Sequence, residues 1–344
     1  MKRTLLILIL ILLTAPCFAT VYYGGAAGKN INADDLWYTA VTGSCTGDGS
    51  PVAWSTVGAG GHTLVANGCT ITIPNNADLT INAAKITNKE TDNPDADCVD
   101  GGTFTYATSS SYTLTINAEI EAGGTADCLA ISGSGAGSAR VTINGGPITG
   151  GSAGGCHGVE DTHSVGEVVV GSTGNLVTIN GGSNSLSRGY MFIGTGTVKM
   201  YANAIGATGI AVANYSTNAS GIITMYDGKC QGSATASYAG CSAGSSGSIV
   251  LSGVNIISGA GGFGADGKIL SKPGATNYII VPVDSSYTAG TIDAHAVVYG
   301  PVDDGDGWNN SETLTNEAEI KSGERIGTAV GTLSSGGSGG VWLF

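Results

Sequence analysis

Charge, aromatic rings and long apolar runs are all scarce in this chain. Of its 344 residues, 11% are charged and 6% are aromatic. No apolar stripe of helical period is visible, so the sequence does not describe a set of amphipathic helices. No Gly-X-Y period accompanies the 58 glycines, which excludes collagen. No Cys-x-x-Cys pair occurs among the 8 cysteines, so neither a zinc ribbon nor a thioredoxin-type centre is supported. What is present is 42% apolar residues, too many for simple disorder. With so much glycine, the composition fits many short strands joined by tight turns, an all-β chain.

The first residues read as a targeting signal. Lys2 and Arg3 form a basic start, and Leu5 to Leu13 are nine unbroken aliphatic residues, too few to span a bilayer. Cys17-Phe18-Ala19 has small residues at its outer positions, which places cleavage after Ala19. A lipoprotein signal using Cys17 is disfavoured by Pro16 before it. With no second hydrophobic span, the expectation is an exported chain with no membrane span, 1–19 being the signal peptide. Cleavage leaves 26 acidic against 11 basic residues. That surface repels nucleic acid and anionic membranes. It also keeps a sparsely charged protein soluble.

A short phrase organises the middle of the chain. Leu79-Thr80-Ile81-Asn82 returns at Leu114, Val141 and Val177, with degenerate copies at Val198, Ile222 and Ile249. The spacings are 35, 27, 36, 21, 24 and 27 residues. Period-2 strands at this interval, with glycine corners between them, predict strands stacked one above the next at about 4.8 Å. A second register comes from the corner isoleucines Ile86, Ile120, Ile148, Ile205 and Ile256. A third comes from Cys98, Cys128, Cys156, Ile210 and Cys241, each opening an apolar segment. Stacked cysteines fall within disulfide reach, and Cys128 can pair with Cys98 or Cys156 but not both. Equally, they can serve as small buried apolar residues. Cys45 with Cys69, and Cys230 with Cys241, are further possible pairs. Seven cysteines in an exported chain leave at least one thiol over.

These ladders and their spacing resemble the right-handed parallel β-helix superfamily, which includes pectate lyases, phage tailspikes and bacterial adhesins. The resemblance covers roughly residues 65–270. It implies an all-β right-handed parallel β-helix over 70–270; the atypical opening reads as an N-terminal cap over 20–69, and the break at Lys272-Pro273-Gly274 as the start of a small C-terminal β module over 271–344. The last is a cap or attachment module with a Gly/Ser-rich tail, whose Trp342 and Phe344 dock on the chain itself or on a neighbour. Gly68 to Ile73 looks like the opening of many secreted or phage-borne β-helical proteins. Glu319 to Gly323, with Gly327 to Leu333, looks like a short C-terminal repeat of phage-type structural proteins.

Candidate chemistry collects in the long connections. Asp92, Asp95, Asp97 and Asp100 form an oxygen-rich loop suited to calcium, the only cofactor expected. His157, Glu160, Asp161, His163 and Glu167 form a second charged stretch, read as a solvated loop. Gly261 to Asp266 matches one unit of a calcium-binding repeat that needs several units to work. Asp303, Asp304, Asp306 and Glu312 resemble a calcium loop, but Trp308 stands where an oxygen ligand is required. A polysaccharide lyase needs a base beside a cation, and Arg140, Arg188 and Lys199 are the only bases between Lys89 and Lys229. Arg188 and Lys199 are placed on one face, with no acid at a matching position. No motif points to the paired carboxylates of a glycosidase. Cys156 beside His157 is adjacent rather than facing, a weak arrangement for a thiol nucleophile.

The expectation is therefore an exported, non-catalytic structural or adhesive protein of the cell surface or extracellular matrix. It would bind carbohydrate or a cell-surface partner along a repetitive face and self-associate through its C-terminal segment. A carbohydrate-active enzyme and a phage-type fibre or spike protein are the alternatives on the same architecture.

Overall fold

The computed structural model describes residues 19–89, 101–108, 111–124, 126–133, 140–218 and 220–231. Beyond these it describes 241–243, 248–251, 254–258, 264–265, 268–271, 279–282, 296–303, 309–314, 325–326 and 329–330. The leader, Cys98, the whole Asp92, Asp95, Asp97 and Asp100 candidate, Asp304, Asp306, Trp342 and Phe344 lie outside the described residues.

The chain is nearly all β, and its sheets are mostly parallel. Strands fall into three ladders, which the chain visits in fixed rotation. The first holds Leu79–Ile81, Thr113–Ile116, Arg140–Ile143, Glu167–Val170 and the leading halves of Thr197–Ile205 and Ile222–Gln231. The second holds Thr63–Val65, Lys85–Thr87, Glu119–Glu121, Ile148–Thr149, Val177–Asn180 and the trailing halves of the two long strands. The third is a separate sheet: Thr70–Ile73, Thr103–Ala107, Leu129–Ser132, His157–Asp161, Arg188–Phe192, Ile210–Asn214, Cys241–Ala243 and Gly264–Ala265.

Alternation decides which side chains meet. In the first ladder Leu114, Val141, Val168, Val198 and Ile223 lie level and buried, with Ile116, Ile143, Val170, Met200 and Met225 two positions on. The residue between them points the other way: Thr115, Thr142, Lys199 and Thr224 are half-buried there, and Val169 is buried. Each buried aliphatic side chain of this kind contributes roughly 1.5–3 kcal/mol by leaving water. In the second ladder Ile86, Ile120, Ile148, Ile179, Ala204 and Cys230 are level.

The register corrects several sequence-based placements. The Val177 copy of the phrase lies in the second ladder, level with Ile148, and Glu167–Val170 takes its expected place in the first. Ile223 rather than Ile222, and Ala204 rather than Ile205, occupy the inward positions; Ile222 and Ile205 are only half-buried. The cysteines do not stack as a ladder. Leu129 is level with Val159, which sets Cys128 and Cys156 two positions out of register. Both are buried free thiols, so Cys128 does not bridge to Cys156. Cys45 with Cys69 and Cys230 with Cys241 stand as disulfide pairs, with Cα atoms 4.8 and 6.0 Å apart.

At the N-terminal end Val21–Gly24 runs parallel to Thr63–Val65 and antiparallel to Trp37–Tyr38. Trp37 is fully buried, donates from Nε1 to the Ile31 carbonyl at 2.7 Å, and stacks on Phe104 at 6.4 Å. The one short helix among the described residues is Trp54–Val57. At the other end Ile279–Pro282, Ala296–Asp303 and Asn309–Leu314 pair antiparallel. Among the described residues no helix is long and apolar enough to cross a membrane.

Candidate functional site

The third ladder gathers most of the unusual chemistry. The stretch read as one solvated loop, His157 to Glu167, is not a loop and not one cluster. His157–Asp161 is a strand, and its residues go to three places. His157, buried at the strand's start, and the half-buried Glu160 both lie beside Asp127. Asp161 and His163 are fully buried. Glu167 belongs to the first ladder, where Arg140 (3.3 Å) and Lys199 flank it. Lys199 thus has an acidic partner and stands on a different ladder from Arg188, so the two bases do not share a face.

The outer site is built around Asp127, a residue that no sequence motif marks. Its Oδ1 accepts the His157 backbone N–H at 2.7 Å, and its carboxyl hydrogen-bonds that of Glu160. Burial, then the Glu160 carboxyl, pushes Asp127 up to about 7. The carboxyl of Glu160 disfavours the ionised form of Asp127 beside it, so Asp127 gains and loses its proton near neutral pH. Such a pair can give or take a proton near pH 7. Its direct hydrogen bond makes it closer than the roughly 5–5.5 Å that glycosidase carboxyl groups need for a nucleophile and an acid.

His157 is 5% exposed, and its Nδ1 accepts the Arg188 backbone N–H at 3.1 Å. Burial, then the Arg188 charge, depresses its imidazole to about 4, so it is neutral at pH 7. Cys156 Sγ donates to the Gly124 carbonyl at 3.3 Å, and its thiol is pushed up by burial and by Asp127. Burial also pushes the Cys128 thiol up. Neither sulfur is set up as a nucleophile, which requires a lowered pKa.

Inside the ladder lies a closed polar trio. Asp161 is level with Ile131 and Phe192, an inward position. Its carboxyl accepts from the Tyr190 hydroxyl, from the His163 backbone N–H at 3.0 Å, and faces His163 Nδ1 at 2.5 Å. All three side chains are 0% exposed, so no ligand reaches them as they stand. Gly196 lies against the imidazole, where a Cβ would come within 2.2 Å of Nε2. Burial, and then Asp161, raise the Tyr190 phenol well above its ordinary value.

A second surface lies on the corner after the first ladder. Asn117 Nδ2 donates to Asn82 Oδ1 at 2.8 Å, Asn144 Nδ2 to Asn117 Oδ1 at 3.3 Å, and Asn175 Nδ2 to the Asn144 carbonyl at 3.1 Å. This row of amides runs into a groove of about 560 Å³ lined by Asn144, Pro147, Asn175, Leu176, Thr178 and Asn180, among others. Among the described residues no three His, Cys, Asp or Glu side chains converge as a metal site. No protein-family model, no curated protein and no solved structure matches the chain.

Proposed function

We propose that the three ladders wind as a right-handed parallel β-helix, and that the chain is an exported, non-catalytic structural or adhesive protein. Its partner would be carbohydrate on a cell surface or in an extracellular matrix. The observation that carries this reading is the amide row from Asn82 to Asn175 and the uncharged groove it enters. Each asparagine retains acceptor and donor capacity beyond the one or two bonds it makes along the row. Repeated at the strand separation, such groups suit a repeating polyol, with Pro147 and Leu176 offering apolar surface to a sugar face. The test is co-sedimentation of the purified chain with insoluble neutral polysaccharides. Retention that the paired substitution Asn144→Ala, Asn175→Ala abolishes supports the proposal, and no retention on any of them overturns it.

A second reading, a carbohydrate-active enzyme, is favoured by one observation: the Asp127–Glu160 pair with its proton available near pH 7. Its test is release of reducing ends or unsaturated products from soluble polysaccharides. Activity lost in Asp127→Asn would establish it.

A further inference from the structure

Arg188 is a buried cation with no counter-charge among the described residues. It opens the strand Arg188–Phe192, level with His157 on one side and Ile210 on the other, and is 7% exposed. Nη1 donates to the carbonyls of Ser185 (2.9 Å) and Ser187 (3.1 Å), and Nη2 to the Tyr215 hydroxyl (3.2 Å). Nε is buried without an acceptor among the described residues. Among the described residues no carboxylate lies within ion-pair distance of it. Arginine is almost never this buried unless paired, because taking an unpaired charge out of water costs several kcal/mol.

The donor without an acceptor, Nε, and the one bonded only to the neutral Tyr215 hydroxyl, Nη2, share one side of the group. Nε and Nη2 form one edge of the planar guanidinium, the edge that grips a carboxylate or sulfate through two parallel bonds. Tyr215 is the neutral group now standing there, with its ring centroid 5.7 Å from the guanidinium carbon. It follows the strand Ile210–Asn214, is half-buried, and is held through its backbone N–H to the Phe192 carbonyl at 2.7 Å. Its side chain can therefore turn without unpairing the ladder.

We propose that Arg188 anchors an oxyanion-binding site, covered by Tyr215, that takes the carboxylate or sulfate group of an acidic ligand. The site is separate from the amide groove and does not depend on the function proposed for it. When the ligand enters, the Tyr215 hydroxyl leaves Nη2, and the oxyanion accepts from Nε and Nη2 together.

The test is calorimetric titration of the full chain with glucuronate, with inorganic sulfate and with glucose as the neutral control. Binding of either anion without glucose is expected; glucuronate alone assigns a carboxylate ligand and sulfate alone a sulfate ester. Arg188→Gln should weaken it by about tenfold or more. Tyr215→Phe, which frees Nη2 and keeps the ring, should tighten it severalfold and serves if the arginine variant does not fold. Absence of anion binding in both wild type and Tyr215→Phe overturns the proposal. So does binding that glucose matches, or that neither substitution changes.

Discussion

At the scale of single residues, two opposed titrations meet on the third ladder. Asp127 is raised from 3.8 to about 7, so the folded state holds a proton that the unfolded state releases. Its contribution is fully present below its unfolded value and is lost as pH rises through about 7. His157 is lowered from 6.5 to about 4, so its contribution is present above 6.5 and lost as pH falls through about 4. Between about 4 and 6.5 the slopes oppose. Thermal melts across this range should show a shallow profile for the wild type. Asp127→Asn should grow more stable as pH rises from 4 to 6.5, exposing the histidine. His157→Asn, which keeps an acceptor for the Arg188 N–H, should lose stability over the same range. Identical profiles in all three would sink this account. The buried trio makes a second prediction. Asp161→Ala strands the Tyr190 hydroxyl and His163 Nδ1 in the interior and should cost about 3–5 kcal/mol. Tyr190→Phe removes one bond and should cost about 1–2 kcal/mol by urea unfolding. None of this was legible in the sequence. Asp161 looks like a loop carboxylate until the register sets it level with Ile131 and Phe192, and Asp127, just before the strand Leu129–Ser132, meets Glu160 only once the neighbouring strand is in place.

At the scale of strands and corners, the sequence was more legible. Alternating Leu-Thr-Ile carries its own burial pattern, so the first-ladder strands at Leu79, Leu114 and Val141 could be placed from residue type alone. Alternation does not say which ladder a strand joins. Val177-Thr178-Ile179-Asn180 repeats the Val141-Thr142-Ile143-Asn144 copy letter for letter yet pairs with Ile148–Thr149, while the less similar Glu167-Val168-Val169-Val170 takes the first-ladder position. Neighbouring strands, not the phrase, settle the matter. A corner glycine shows how tightly they are set. A Cβ on Gly145 would lie 2.1 Å from the Ala118 nitrogen, whereas one on Gly174 meets nothing within 4 Å. Gly145→Ala should therefore force two strands apart, costing about 1–3 kcal/mol and shifting the amide resonances of Asn117 and Asn144. Gly174→Ala carries only the penalty of its φ of 82°, about 1–2 kcal/mol, and should leave those resonances in place. Equal disturbance of the amide row by both would show that close approach is not what selects glycine at 145.

At the scale of the whole molecule, stability is built from contacts between successive strands, since each ladder strand pairs with the one before and the one after. Such a chain is close to one-dimensional, and its ends are its weak points. The N-terminal end carries the densest set of ties. Trp37 stacks on Phe104, the Asn67 amide donates to the carbonyls of Gly24 (2.9 Å) and Gly43 (3.1 Å), and the Cys45–Cys69 disulfide joins residues 24 apart. By the loop-entropy relation that crosslink contributes about 3 kcal/mol, and the Cys230–Cys241 link, spanning 11 residues, slightly less. Because coupling runs mainly between neighbours, the loss of either link should be felt locally. Hydrogen exchange under reducing conditions should quicken first in residues 20–73 and around 222–231. Residues 140–205, a stretch that itself carries no disulfide, should stay protected. Uniform acceleration along the chain would mean that the ladders unfold as one cooperative unit, and that the ends limit the stability of the whole.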